Sequence, residues 1–396
     1  MEKETYRVHG FKASAVVAGL KKGDALDVGL IVSEREAAAA GVFTTNKVRA
    51  APVILSERHV EKGKARAIIA NAGNANACTG APGMDDARTT AELVAGELGI
   101  GPEEVLVAST GVIGKPMNMD LIAGAIPGLA KALSPDGVPL MAQAIMTTDS
   151  FPKISRFEGR AGGNPYRIMG IAKGAGMIMP HMATMLSFIL SDIKIDPDDL
   201  KRALLSSVET TFNRITVDGD TSTNDTVLML ANGLAENGDL SREDLDVFSG
   251  GLCEVMGDLA RMIVRDGEGA TKLVSVEVKK ALSPSDARRA ARTVANSSLV
   301  KTALYGQDPN WGRIMAALGR ADIEMMEERV DIWIDDVRIV KGGLGEGLEM
   351  EKRAADIMAG KEFTLTIDLN QGGYHDRILT CDLTHEYVSI NADYRT

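Results

Sequence analysis

Between Tyr6 and Ile69 the apolar residues come in short runs: KASAVVAGL, ALDVGLIVSE, AGVFTT, APVILSE and ARAIIA. Each is interrupted by Gly, Lys-Gly or Pro, and runs of this length rich in Val, Ile and Thr predict strands. The spacing changes after the small-residue loop Asn71–Gly80. Ala87, Ala91, Val94 and Leu98 recur at three- and four-residue intervals, which predicts a helix over Asp85–Leu98. Glu104–Thr110 returns to a strand that runs into Gly111–Gly114. Leu121–Leu133 predicts a helix disturbed at Pro127, and a second helix leads into Met146–Asp149. Tyr166–Ala172 and Met185–Leu190 are apolar runs of strand length. Asp196 followed by Pro197 opens a helix with Leu200, Ala203, Leu204 and Val208 on one face. The longest helical pattern, from Ser241 to Arg265, starts on Ser-Arg-Glu-Asp, which resembles a capping box. Val274, Val276 and Val278 alternate, Ser283-Pro284 starts another helix, and alternation returns at Ile332/Ile334 and over Phe363–Leu369. The final HEYVSINADYRT alternates to its end and predicts a last strand.

Helices and strands are thus mixed along the whole chain. Its 396 residues are long enough for two domains, the last hundred or so forming a smaller α+β unit. Aromatic residues make up only 4%, so the core must rest on Ala, Val, Leu, Ile and the 19 Met. A net charge of −11 argues against a nucleic acid or an anionic membrane as partner. Cys78, Cys253 and Cys381 are far apart and form no CxxC, which suggests free thiols in a reducing cytoplasm. The opening MEKETYRVHG lacks the apolar stretch of a signal peptide. No segment approaches the roughly 20 apolar residues of a membrane span. The expectation is a soluble cytoplasmic protein.

The candidate chemistry centres on Lys173–Asp192, KGAGMIMPHMATMLSFILSD. A glycine-rich turn with one lysine leads through Ala183-Thr184 into the strand Met185–Leu190. Threonine is a poor nucleophile without a base beside it, and its own α-amine can be that base if the chain is cut just before it. The competing interpretation is a loop entering a buried strand, with Met169, Met177, Met179, Met182 and Met185 as adaptable packing. Ser109-Thr110-Gly111, at a strand end, can aim backbone N–H groups at one point, as an oxyanion hole requires. Glu268, between glycines, is either a solvated turn carboxylate or a site residue. Asp218, Asp220 and Asp225 offer oxygen donors to a hard metal but lack the full EF-hand spacing. No His pair has the HExxH spacing of a zinc site. His181 lies three residues before Thr184, but nearness in sequence does not give it reach as a base.

NAGNANACTG, ASTGVIG, IMTTD, KGAGMIMPHMATML, TVDGDTSTND, RDGEGATK, GQDPNWGR and NADYRT stand in this order from Asn71 to Thr396. Together they resemble the ornithine acetyltransferase (glutamate N-acetyltransferase) family of arginine biosynthesis, over essentially the whole chain. The resemblance implies an αββα sandwich over residues 1–280, of the kind found in self-processing aminopeptidases, and a C-terminal α+β domain over 281–396. It implies self-cleavage between Ala183 and Thr184 into chains 1–183 and 184–396, with two copies of each associating in a heterotetramer. Thr184 would take the acetyl group of N-acetyl-L-ornithine, release ornithine, and pass the acetyl group to L-glutamate to give N-acetylglutamate. Thr110 and Gly111 would form the oxyanion hole. Thr147, Lys173, Thr184, Glu268, Asn391 and Thr396 would bind substrate. No metal or redox cofactor is implied.

Two rivals remain open at the level of sequence. A self-processed N-terminal-Thr aminopeptidase or amidohydrolase would share the nucleophile and pass the acyl group to water. A binding protein would never process. The same motifs leave acetyl-CoA open as a second donor, which would make the enzyme bifunctional with amino-acid N-acetyltransferase activity.

Overall fold

In a computed structural model of the chain, residues 6–179 and 185–393 are described. They form two compact units. Of the described residues, the first comprises those up to Asn213 together with Asp220–Ile263, and the second comprises Arg214–Gly219 and residues 264–393.

The elements of the first unit are β1 (Phe11–Val16), β2 (Val28–Phe43), α1 (Ala51–Val60), β3 (Lys64–Asn74), α2 (Gly80–Leu98), β4 (Val105–Val112), α3 (Met119–Lys131), α4 (Val138–Ala144), β5 (Lys153–Ala161), β6 (Asn164–Lys173), β7 (Leu186–Ser191), α5 (Pro197–Thr210), β8 (Thr226–Ala231) and α6 (Arg242–Arg265). The strands run in the order β4-β3-β2-β8-β7-β6-β5, with β1 also on β2. Strand β2 serves two halves of this sheet. Val28–Ser33 pairs with β1, whereas Ala38–Phe43 pairs with β8, and the register against β3 slips between Val32 and Ala37. Such an irregularity bends a strand.

The bend brings the two halves face to face. Ile31, Ile68, Ala70, Leu106 and Ala108 of one half share a buried core with Met169, Ile171, Leu186, Phe188 and Leu190 of the other. The alternate residues Leu30, Ala67, Ile69, Val105 and Val107 point outward against apolar residues of α1, α2 and α3. Helix α6 covers the outer face of the second half. A Cβ on Gly170 of β6 would lie 2.8 Å from both Val255 and Leu259, so the glycine admits this helix. The expected αββα layering is present. The capping signals also hold, with Asp196 accepting from the Asp198 N–H and Ser241 and Asp244 bonding reciprocally at the start of α6.

The second unit contains β9 (Leu273–Ala281), α7 (Pro284–Ala295), α8 (Ser298–Tyr305), α9 (Trp311–Gly319), β10 (Asp331–Ile334), β11 (Val337–Lys341), β12 (Leu344–Gly345), α10 (Leu348–Met358), β13 (Glu362–Asp368), β14 (Tyr374–Cys381) and α11 (His385–Asp393). Its sheet runs β12-β11-β10-β13-β9-β14, with only the β9–β13 pair parallel. Val274, Val276, Val278, Leu365 and Ile367 pack with the alanine face of α7.

The two compact units divide at Ile263/Val264, and β9 is the interior strand that joins β13 to β14. Two sequence expectations change. APVILSE is helix α1, not a strand. Pro52 sits in its first turn, where no N–H is needed, and Ala51 and Leu55 form a helical stripe. The described part of HEYVSINADYRT is helix α11, where Thr384 Oγ1 accepts from the Tyr387 N–H. Its alternation marked no buried face, since Val388 is 64% exposed.

Candidate active site

Strand β4 carries Thr110 and Gly111 at the edge of the first sheet. Gly111 pairs with Gly73 where the β3–β4 register becomes irregular. At Gly111 φ is +129°, and a Cβ would lie 2.6 Å from Asn74 N and closer still to the Gly73 carbonyl carbon. Two backbones therefore meet at a distance only glycine permits. The amide-rich loop fastens this turn. Ser109 Oγ donates to Asn71 Oδ1 (2.6 Å), and Asn74 Nδ2 donates to the carbonyls of Lys115 and Pro116 (both 3.1 Å). Asn224 Nδ2 donates to the carbonyls of Ala75 (2.6 Å) and Ser109 (2.8 Å). Together these bonds hold the Thr110–Gly111 turn in shape.

Lys173 ends β6 and is buried. Its Nζ donates to Thr147 Oγ1 (2.8 Å) and, at 3.4 Å, to Thr110 Oγ1. A hydroxyl oxygen that accepts from an ammonium keeps its own O–H to donate, so Thr147 and Lys173 together present donors to an anion. Opposite Lys173 lies Leu186, the first residue of β7. The preceding Met185 donates its N–H to Asp225 Oδ1 at 2.9 Å.

Two residues given no role in the sequence organise this cluster. Asp149 Oδ2 accepts from the Thr147 N–H (2.9 Å), while Oδ1 accepts from the Gly174 N–H (2.6 Å) and from Lys153 Nζ (2.7 Å). Both side chains of the Asp149–Lys153 pair are fully buried. Burial alone would raise the Asp149 pKa, but the charges of Lys173 and Lys153 and the hydrogen bonds from Lys153 and Gly174 hold it down at about 2. The only hint in sequence was that Asp149 ends the IMTTD motif. Asp225 behaves oppositely. It is fully buried, and desolvation raises its pKa well above the carboxylate range despite the Met185 N–H bond. Lys21, whose Nζ donates to the carbonyls of Leu26 (2.8 Å) and Ala144 (3.0 Å), is lowered to about 8, chiefly by burial.

In the second unit, the turn after α6 holds Glu268, whose Oε2 accepts from Asn391 Nδ2 at 2.7 Å. Gly269, at φ +67°, makes room for the start of α11, since a Cβ there would lie 2.7 Å from Tyr387 N. Thr384 Oγ1 donates to the Gly269 carbonyl at 2.9 Å. The structure thus brings Thr110, Thr147 and Lys173 together in one unit and Glu268 with Asn391 in the other. His181, Ala183, Thr184 and Thr396 lie outside the described residues. Of the three loop carboxylates, Asp225 accepts from the Met185 N–H and Asp218 accepts from the Tyr387 hydroxyl. Among the described residues no three His, Cys, Asp or Glu are grouped to hold a metal ion.

The chain matches known proteins over nearly its whole length. The model of the ArgJ family matches residues 12–396. The arginine biosynthesis bifunctional protein ArgJ of Geobacter sulfurreducens is 52% identical over 391 residues, covering 98% of this chain and 100% of that protein. Its namesake from Desulfotalea psychrophila is 49% identical over 391 residues, with 98% and 100% coverage. The crystal structure of the Bacillus halodurans arginine biosynthesis bifunctional protein ArgJ superposes with a TM-score of 0.51 at 44% identity, covering 53% of this chain and 100% of that one. With a family match that takes in both units and the turn, lysine and carboxylate positions described above, the chain belongs to the ArgJ family.

Proposed function

We propose that the chain is a glutamate N-acetyltransferase of arginine biosynthesis that cuts itself between Ala183 and Thr184 and then carries acetyl groups on Thr184. In cleavage, Thr184 Oγ1 attacks the Ala183 carbonyl, the peptide nitrogen leaves, and water hydrolyses the resulting ester. The products are chains 1–183 and 184–396, the second headed by a free α-amine. That amine, with a reference pKa of about 8, takes the hydroxyl proton in the next reaction. Oγ1 adds to the acetyl carbonyl of N-acetyl-L-ornithine while Thr110 and Gly111 stabilise the oxyanion. Collapse expels ornithine, to which the α-amine returns the proton. The amine of L-glutamate then attacks the acetyl ester, and N-acetylglutamate leaves with the Thr184 hydroxyl restored.

In this cycle Lys173 and Thr147 receive the substrate carboxylate, and Glu268 and Asn391 receive ammonium groups. Thr184 and Thr396 complete the substrate contacts. The observation that carries the proposal is the meeting of Thr110 and Thr147 at the Lys173 ammonium, opposite Leu186. Thr184 is two residues before Leu186 in the chain. The relatives' name, bifunctional protein, supports a second activity, amino-acid N-acetyltransferase with acetyl-CoA as donor. Two copies of each processed chain would associate. A cytoplasmic setting fits three free cysteines, and among the described residues no helix is long and apolar enough to cross a membrane.

Intact masses test the proposal. The wild type should give two chains meeting at Ala183/Thr184, the Thr-headed one gaining about 42 Da with N-acetylornithine, as an acetyl ester requires. Thr184→Ala should give one uncut chain without transfer. Efficient cutting in that variant, or acetyl release that needs no glutamate, would overturn it.

A further inference from the structure

The buried cluster beneath Thr147 holds two lysines and one aspartate, and the geometry divides their roles. Lys153 makes the direct ion pair with Asp149, at 2.7 Å, with both side chains fully buried. Lys173 turns its Nζ toward hydroxyls, Thr147 Oγ1 at 2.8 Å and Thr110 Oγ1 at 3.4 Å. The remaining Asp149 contacts go to backbone, the N–H groups of Thr147 and Gly174, one on each side of the Lys173–Thr147 bond. Asp149 is therefore a brace between the two segments that carry the donors. A brace of this kind has an electrostatic side effect. A carboxylate buried beside a substrate-facing lysine would neutralise it and draw its ammonium inward.

We propose that Lys153 is a positioning residue that neutralises Asp149, so that the Lys173 charge stays directed at the Thr147 and Thr110 hydroxyls and at the substrate carboxylate. The inference rests on the proposed role of Lys173 and Thr147 as the carboxylate seat. Charge counting gives it content. Lys153, Asp149 and Lys173 sum to one positive charge, and Lys21, which also acts on Lys173 and Asp149, is offset by Asp27; one positive charge suits a single carboxylate. Removing Lys153 brings the sum to zero, although the Asp149 bonds to Thr147 and Gly174 stay available. Removing both Lys153 and Asp149 restores it to one. A purely structural pair would show no such alternation.

The test uses N-acetyl-L-ornithine and its α-carboxamide as paired donors, with glutamate as acceptor, in the wild type, Lys153→Met, and Lys153→Met/Asp149→Asn. The wild type should prefer the acid over the amide. Lys153→Met should raise KM for the acid about tenfold, as loss of one charge-assisted contact predicts, with kcat little changed and KM for the amide unmoved. The double variant should recover most of the preference for the acid. An unchanged acid-to-amide ratio in Lys153→Met would overturn the inference and leave the carboxylate seat standing. A wild type that does not distinguish acid from amide would overturn both. Should the double variant fold poorly, the ratio in Lys153→Met alone decides.

Discussion

At the scale of single residues, the site is built from groups that have little choice of identity. Gly111 has a left-handed φ and faces the Gly73–Asn74 backbone across a gap too narrow for any side chain. Gly111→Ala should lower transferase kcat on the order of 100-fold, the loss expected when an oxyanion donor is displaced. It should also lower the melting temperature, because the added Cβ must push β3 and β4 apart. Wild-type kcat in that variant would remove the turn from the mechanism. This glycine was legible in sequence through the Ser-Thr-Gly turn. The reason for it, a neighbouring backbone from a segment some forty residues earlier, was not.

At the scale of elements, the edge strand β4 must be covered as well as placed. An edge strand presents unpaired backbone groups. Helix α1 meets that need through Ser56, whose Oγ donates to the Val107 carbonyl and accepts from the Val107 N–H, both at 2.7 Å. Ser56→Ala strands two buried backbone groups and should cost about 1–3 kcal/mol. Urea unfolding would measure this, and an unchanged midpoint would sink the idea. The KM values should stay near wild type, since Ser56 touches no residue of the site. The mistaken strand for APVILSE has the same origin. Its apolar residues suit either period, and only the partner, a sheet with an open edge, selects the helix.

At the scale of the whole molecule, two buried carboxylates shape stability against pH in opposite senses. The Asp149 pKa, about 2 in the fold, lies below the usual 3.8. Its ionised form therefore stabilises the fold above about pH 4, by roughly 2 kcal/mol, and this is lost as pH falls from about 4 to about 2. The Asp225 pKa is raised, chiefly by burial. Its neutral form suits the fold, so its contribution is full at low pH and declines as pH rises above the unfolded value near 4. Asp225→Asn should remove that decline while still accepting from the Met185 N–H. Melting temperatures from about pH 4 to about pH 8 should then fall less steeply in the variant than in the wild type. Parallel curves would show that Asp225 ionises normally.

The sequence by itself determined the mixed α/β class, most element positions, the helix caps at Asp196 and Ser241, and the identities of Thr110, Gly111, Thr147, Lys173, Glu268 and Asn391 as candidates. These are properties of local spacing or of motifs, and both are written along one dimension. Only the tertiary structure decided that β2 bends to face two half-sheets, and that β9 belongs to the second sheet. It also decided that Asp149 and Lys153 form a buried pair under Thr147. Each of these depends on which residues exclude water together, and a carboxylate has no fixed pKa until its neighbours and burial are fixed. A polar residue in a loop reads the same in sequence whether it ends in solvent or beneath a substrate.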